Sequence, residues 1–71
     1  MLRLTVERQK RGWSQAELGR RTGIDAASIS RLEAGKLYAY AGWRQRLGQV
    51  LKMPGDSLFK EVEDDDQGHG E

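Results

Sequence analysis

Few side chains of this 71-residue sequence are equipped for covalent or metal chemistry. Its one histidine, His69, lies in a Gly-containing acidic stretch without a partner, and no spaced carboxylate pair, metal-ligand cluster or Gly-rich phosphate loop appears. Cysteine is absent, which removes disulfides, thiolate metal sites and a thiol nucleophile together. Asp64-Asp65-Asp66 could attract a divalent cation, but an acidic run of this kind is ordinarily a solvated tail. The expectation is a protein that is not an enzyme and uses neither metal nor cofactor.

What remains is the chemistry of charge. All twelve Lys and Arg residues fall in residues 1–60, where five carboxylates oppose them, so this stretch carries +7. Residues 61–71 hold six carboxylates and no base, a charge of −6. The net charge of +1 conceals a basic body joined to an acidic tail, a pattern that points to a nucleic-acid partner. About 60 residues can bury one small core, which leaves no room for a second, small-molecule effector domain. No run of 18 apolar residues exists, and MLRLTVERQK lacks the apolar core of a secretory signal. A cytoplasmic protein with no membrane partner is expected.

The elements that must position these charges are short helices. Gly12, Gly23 and Gly35 each follow an apolar-periodic stretch, as helix stop signals do. A first helix spans about Leu2 to Arg11 with Leu4 facing inward, although Leu2, Leu4 and Val6 also alternate like a strand. Ser14-Gln15-Ala16-Glu17 is a capping box for a second helix, with Trp13 and Leu18 at the staple positions. Eleven residues later the grammar repeats: Asp25 caps a third helix, and Ile24 and Ile29 take the staple positions. Two capped helices joined by Thr22-Gly23-Ile24 form a helix-turn-helix unit. Trp43, Leu47, Val50 and Leu51 line one face of a fourth helix, with Arg44, Gln45, Arg46 and Gln49 off that face. Pro54 suits the start of a short fifth helix running to about Val62, and Leu58 and Phe59 can close the core. The fold class is thus all-α, five helices in a domain of residues 1–62. Residues 63–71 form an acidic tail expected to be disordered.

These strings resemble the Xre-type helix-turn-helix proteins, which include the phage Cro and repressor DNA-binding domains. The matching residues are Arg8, Gly12 to Leu18, Gly23-Ile24-Asp25, and Ile29 to Lys36, followed by Leu51 to Phe59. The resemblance covers roughly residues 2–62. It implies a compact bundle of the lambda-repressor-like DNA-binding type, with the helix at about residues 26–34 entering the major groove of double-stranded DNA. A helical wheel agrees. Ile29 and Leu32 centre its buried side, and Ala27, Ser30, Arg31 and Ala34 face out with Ala26 at the edge.

Carried over position by position, Ala26, Ala27, Ser28 and Arg31 would face bases. A guanidinium can bond both O6 and N7 of guanine, which singles out Arg31, while Ala26 and Ala27 could pack on thymine methyls or simply permit close approach. Gln15 at the start of the second helix would contact phosphate, with Ser30, Lys36, Arg44 and Arg46 as further phosphate candidates. Arg8 and Glu33 match positions that pair across the first and third helices, and Arg8 could also reach phosphate. Gly19 stands where the family needs a small residue for close helix approach. The largest departure from the family is Tyr38, Tyr40 and Trp43; Trp43 fits the core stripe, and a tyrosine hydroxyl could meet phosphate.

The function this implies is sequence-specific DNA binding by a small transcriptional regulator, a repressor acting by occlusion and pairing as a homodimer on DNA. Leu58, Phe59 and Val62 could extend into a dimer interface or serve the core. An alternative of a different class stays open: the same fold as a protein-interaction module, such as an antitoxin, anti-repressor or bridging factor. The acidic tail, about 35 Å long if extended, could compete for phosphate sites or merely solubilise the chain.

Overall fold

Ser14 and Asp25 begin two helices of equal length, and the rest of the fold is arranged around them. A computed structural model of the chain describes residues 1–62. Along it run α1 (Arg3–Lys10), α2 (Gln15–Thr22), α3 (Ala26–Glu33) and α4 (Ala41–Leu51), followed by a 3-10 helix (Gly55–Phe59). The fifth helix expected from Pro54 is therefore a single tight 3-10 stretch, and four α-helices complete the described residues. Expected disorder beyond residue 62, His69 and the Asp64-Asp65-Asp66 run lie outside the described residues.

The Ser14 hydroxyl accepts the Glu17 amide at 3.0 Å, half of the expected capping box. The other half is replaced: the Glu17 carboxylate pairs with Arg21 at 2.7 Å and with Arg20. Two arginines one turn further along outbid the backbone amide for that carboxylate. Trp13 packs at the edge of the core, with the Arg21 guanidinium 4.2 Å and that of Arg11 5.8 Å from its ring centroid. On α3, Asp25 accepts the Ser28 amide at 3.0 Å and the Ser28 hydroxyl at 2.8 Å. Hydrogen bonds from the Ser28 side chain, then from its amide, hold the Asp25 carboxyl below its ordinary pKa of 3.8. The three stop glycines, Gly12, Gly23 and Gly35, all have positive φ.

The core is built from Leu4, Leu18, Ile29, Leu32, Leu47, Leu51 and Leu58, each less than 2% exposed, with Trp13, Trp43, Val50, Met53 and Phe59 at its margin. Close approach decides two joints. A Cβ on Gly19 would lie 2.4 Å from the Ile24 carbonyl oxygen, so α2 and α3 can meet only over a glycine. A Cβ on Gly55 would lie 2.4 Å from the Arg44 carbonyl oxygen, which brings the 3-10 helix hard against α4.

The strand-like alternation of the N-terminus also has a structural outcome. Leu2 is extended and forms a single antiparallel bridge with Glu61. The Arg3 amide donates to the Lys60 carbonyl at 2.9 Å, and the Val62 amide to that of Met1 at 2.8 Å. Helix α1 starts only after this pairing.

Candidate nucleic-acid interface

Helix α3 divides cleanly into two faces. Ser28, Ile29 and Leu32 are buried, while Ala26, Ala27, Ser30, Arg31 and Ala34 are exposed. The exposed face thus consists of small side chains and one guanidinium, and among the described residues Arg31 makes no side-chain hydrogen bond or ion pair. Ser28 is a correction to the expected base-reading set. Its hydroxyl is committed to the Asp25 cap and its side chain turns inward, so it cannot share the outward face.

What holds this face in place is a half-buried polar cluster. Arg8 Nε donates to Glu33 Oε2 at 2.7 Å and Nη2 to Oε1 at 3.0 Å, a forked pair with side chains 11% and 7% exposed. Arg8 Nη1 donates to the Trp13 carbonyl at 2.8 Å. Gln15 joins the cluster, its Nε2 donating to Glu33 Oε1 at 2.9 Å. One carboxylate near the end of α3 is therefore gripped from α1 and from the start of α2. The two expectations of phosphate contact within this cluster change: the Arg8 guanidinium is used internally on all three nitrogens, and Gln15 already has one amide bond inside the protein. Gln15 still sits in the first turn of α2, where amide groups face outward.

The remaining phosphate candidates separate in the same way. Lys36 and Arg46 are exposed and without side-chain partners among the described residues. The Lys36 amide closes the end of α3 on the Arg31 carbonyl at 2.8 Å, so both cations belong to one end of that helix. Arg46 reaches the helix-turn-helix turn, with Nη1 3.6 Å from the point a Gly23 Cβ would occupy. Arg44, by contrast, already has internal partners on two of its three nitrogens. Its Nε donates to the Ala39 carbonyl at 2.7 Å, its Nη1 to Asp56 Oδ1 at 2.8 Å, and its guanidinium lies 4.9 Å from the Phe59 ring centroid.

Sequence reasoning missed the environment of Glu7. This carboxylate is buried among Arg11 at 2.9 Å, Arg3 at 3.4 Å and Lys10 at 3.5 Å, and Arg11 also reaches the Leu51 carbonyl at 2.8 Å, tying α1 to the end of α4. The signal was present as i−4, i+3 and i+4 spacing of bases around one acid. Burial pushes the Glu7 carboxyl up, but the hydrogen bond from Arg11, the charge of Lys10 and the bond from Arg3 outweigh it and leave it below its ordinary 4.5.

Among the described residues no group of acids and histidines could hold a metal ion, and no helix is long and apolar enough to cross a membrane. Comparison with curated proteins and with solved structures returned no match. Residues 2–58, most of the chain and all of the architecture above up to Leu58, match a family described as a helix-turn-helix domain, and the chain belongs to that family.

Proposed function

We propose that the protein is a sequence-specific binder of double-stranded DNA, an Xre-type regulator with the lambda-repressor-like helix arrangement and α3 seated in the major groove. It acts as a cytoplasmic repressor by occlusion and pairs as a homodimer on its site. The observation that carries this reading is the outward face of α3: Arg31 stands without a side-chain partner among the described residues, on a surface otherwise made of Ala26, Ala27, Ser30 and Ala34, small enough for the backbone to approach base edges. Lys36 and Ser30 flank it for phosphate, joined by the first turn of α2, which meets the same end of α3 through Gln15 and Glu33, while Arg46 stands at the turn of the motif.

Such a face reads few bases directly. Arg31 supplies the one strong hydrogen-bonding contact, worth about 1–3 kcal/mol of discrimination, and the alanines add contacts with thymine methyls. Deformability of the duplex then contributes the remaining preference. The test is selection of bound sequences from a random duplex pool by the wild-type chain and by Arg31→Ala. Loss of preference for a single G·C pair in the variant is the expected result, and an unchanged preference removes Arg31 from the readout. No retention of the folded domain on random duplex at low salt would end the DNA reading and leave the interaction-module alternative.

A further inference from the structure

The surplus positive charge of residues 1–60 is not concentrated where α3 faces out. On α1, Arg3, Lys10 and Arg11 share a single acid, Glu7. Arg11 and Arg21 then face the half-buried Trp13 ring at 5.8 and 4.2 Å, which carries the cationic surface from α1 onto α2. Glu17 closes it, pairing with Arg21 at 2.7 Å and with Arg20, whose side chain already borders the start of α3 together with Ala26. Two exposed lysines without side-chain partners among the described residues flank this strip. The Lys60 carbonyl holds the Arg3 amide, and Lys52 follows Leu51, whose carbonyl holds Arg11. From Lys60 to Arg21 the strip gathers six cations against Glu7 and Glu17, a charge of +4, more than half of the +7 and none of it used in the proposed readout.

A bare cationic strip is a liability in a protein that meets a polyanion through another face, because non-specific attraction to a duplex follows charge wherever it lies. The chain carries its own counter-charge. Glu63, Asp64, Asp65, Asp66 and Glu71 hold −5 with no base among them, and the segment that bears them starts at the strip. The described residues end at Val62, whose amide donates to the Met1 carbonyl at 2.8 Å, two residues before Arg3. Nine further residues span about 30 Å at ~3.3 Å each, while the eight residues of α1 rise about 12 Å. Arg3 and Lys60 stand at the root of the segment, whereas α3 joins α1 only at Arg8, more than a turn further along. On a tether the nearest partner is met at the highest effective concentration.

We infer that residues 63–71 lie along this strip of the same chain and screen it, leaving the α3 side as the one open to a duplex. The screening rests on the DNA-binding reading above; the docking itself does not. Competition for the phosphate sites of α3 is a different arrangement. Here the segment covers the opposed face, so it weakens specific binding little and suppresses attachment in other orientations.

The absence of cysteine makes the test direct. Gln67→Cys leaves every charge in place and carries a nitroxide spin label in the full chain, free of DNA. Backbone amides of Gln9 to Trp13 and of Arg21 should relax fastest, and the effect should fade toward about 1 M salt, where the screening length is ~3 Å. Strongest relaxation at Ala27 to Lys36 would overturn the inference by placing the segment on the α3 face, and so would an even, weak effect across the domain. Duplex binding tests the screening. The pair Lys52→Gln and Lys60→Gln should leave the low-salt affinity of the full chain for random duplex within about twofold. The same pair should lower that affinity about tenfold in a chain whose segment is neutralised by Glu63→Gln, Asp64→Asn, Asp65→Asn, Asp66→Asn and Glu71→Gln. Equal losses in the two backgrounds would overturn the inference as well. If neither chain binds a duplex, the DNA reading falls while the spin label in free protein still decides the docking.

Discussion

Arg31, Lys36 and Arg46 differ from Arg8 and Arg44 in what their side chains already hold, and that difference decides which cations can meet a polyanion. The charge of +7 counts them alike. Arg8 spends all three guanidinium nitrogens on Glu33 and the Trp13 carbonyl, and Arg44 spends two of its three on Ala39 and Asp56, so Arg8 cannot meet phosphate without giving up an internal bond and Arg44 has a single nitrogen left over. Glu7 shows the same economy on α1, where three bases serve one buried acid. Because its carboxyl is held below 4.5 in the folded protein, the stability it contributes is fully present above the unfolded value and is lost as pH falls through the lowered folded one. Urea midpoints of wild type and Glu7→Gln should therefore converge between about pH 6 and about pH 3, and a constant gap would mean that Glu7 is not the titrating group. Arg31 was legible from the sequence because a helical wheel assigns faces without knowing neighbours. The fates of Ser28, Gln15 and Arg44 were not, since each bonds a partner that only capping geometry or tertiary packing brings within reach.

The starts of the two helices with side-chain caps could be read from the sequence, and the start of α4, which has none, could not. Ser14 and Asp25 fix the starts of α2 and α3. Helix α4 begins at Ala41 behind Tyr40, whose side chain makes no cap bond, and its first turn is steadied instead by Arg44 reaching back to the Ala39 carbonyl. That device spans five residues and leaves no local pattern to read. The tight 3-10 form of the last element likewise follows from the contact of Gly55 with Arg44, two residues eleven positions apart. The joint between α2 and α3 gives a sharp prediction. Gly19→Ala forces its methyl onto the Ile24 carbonyl and should cost about 1–3 kcal/mol, a loss read as a Tm lower by about 4–8 °C per kcal/mol in a domain this small. An unchanged Tm would show that the two helices can separate freely, and α3 would then be a poorly fixed reading head.

At the scale of the whole molecule, the charge division read from the sequence remains its broadest functional clue. Deleting residues 63–71 removes five of the six tail carboxylates, so it should raise affinity for random duplex at low salt. Fluorescence anisotropy should show that gain shrinking as ionic strength rises through about 0.1 M, where the screening length is ~10 Å. Equal affinities before and after deletion would leave the tail as a solubilising segment. The order of the helices was accessible in advance because consecutive short helices meet through local turns. The joining of Leu2 to Glu61 was not, since no local rule couples positions 59 residues apart.

That joining has a mechanical side. Entering and leaving segments lie antiparallel and side by side, so force applied at residues 1 and 62 loads the Met1–Val62 bonds first and the Arg3–Lys60 bond next, as a zipper is opened, rather than together in shear. The domain should peel from its ends at low force while the leucine core is still intact. Spliced into a loop of another protein, the same pairing would let it sit as an insert whose two junctions cost its host almost no separation.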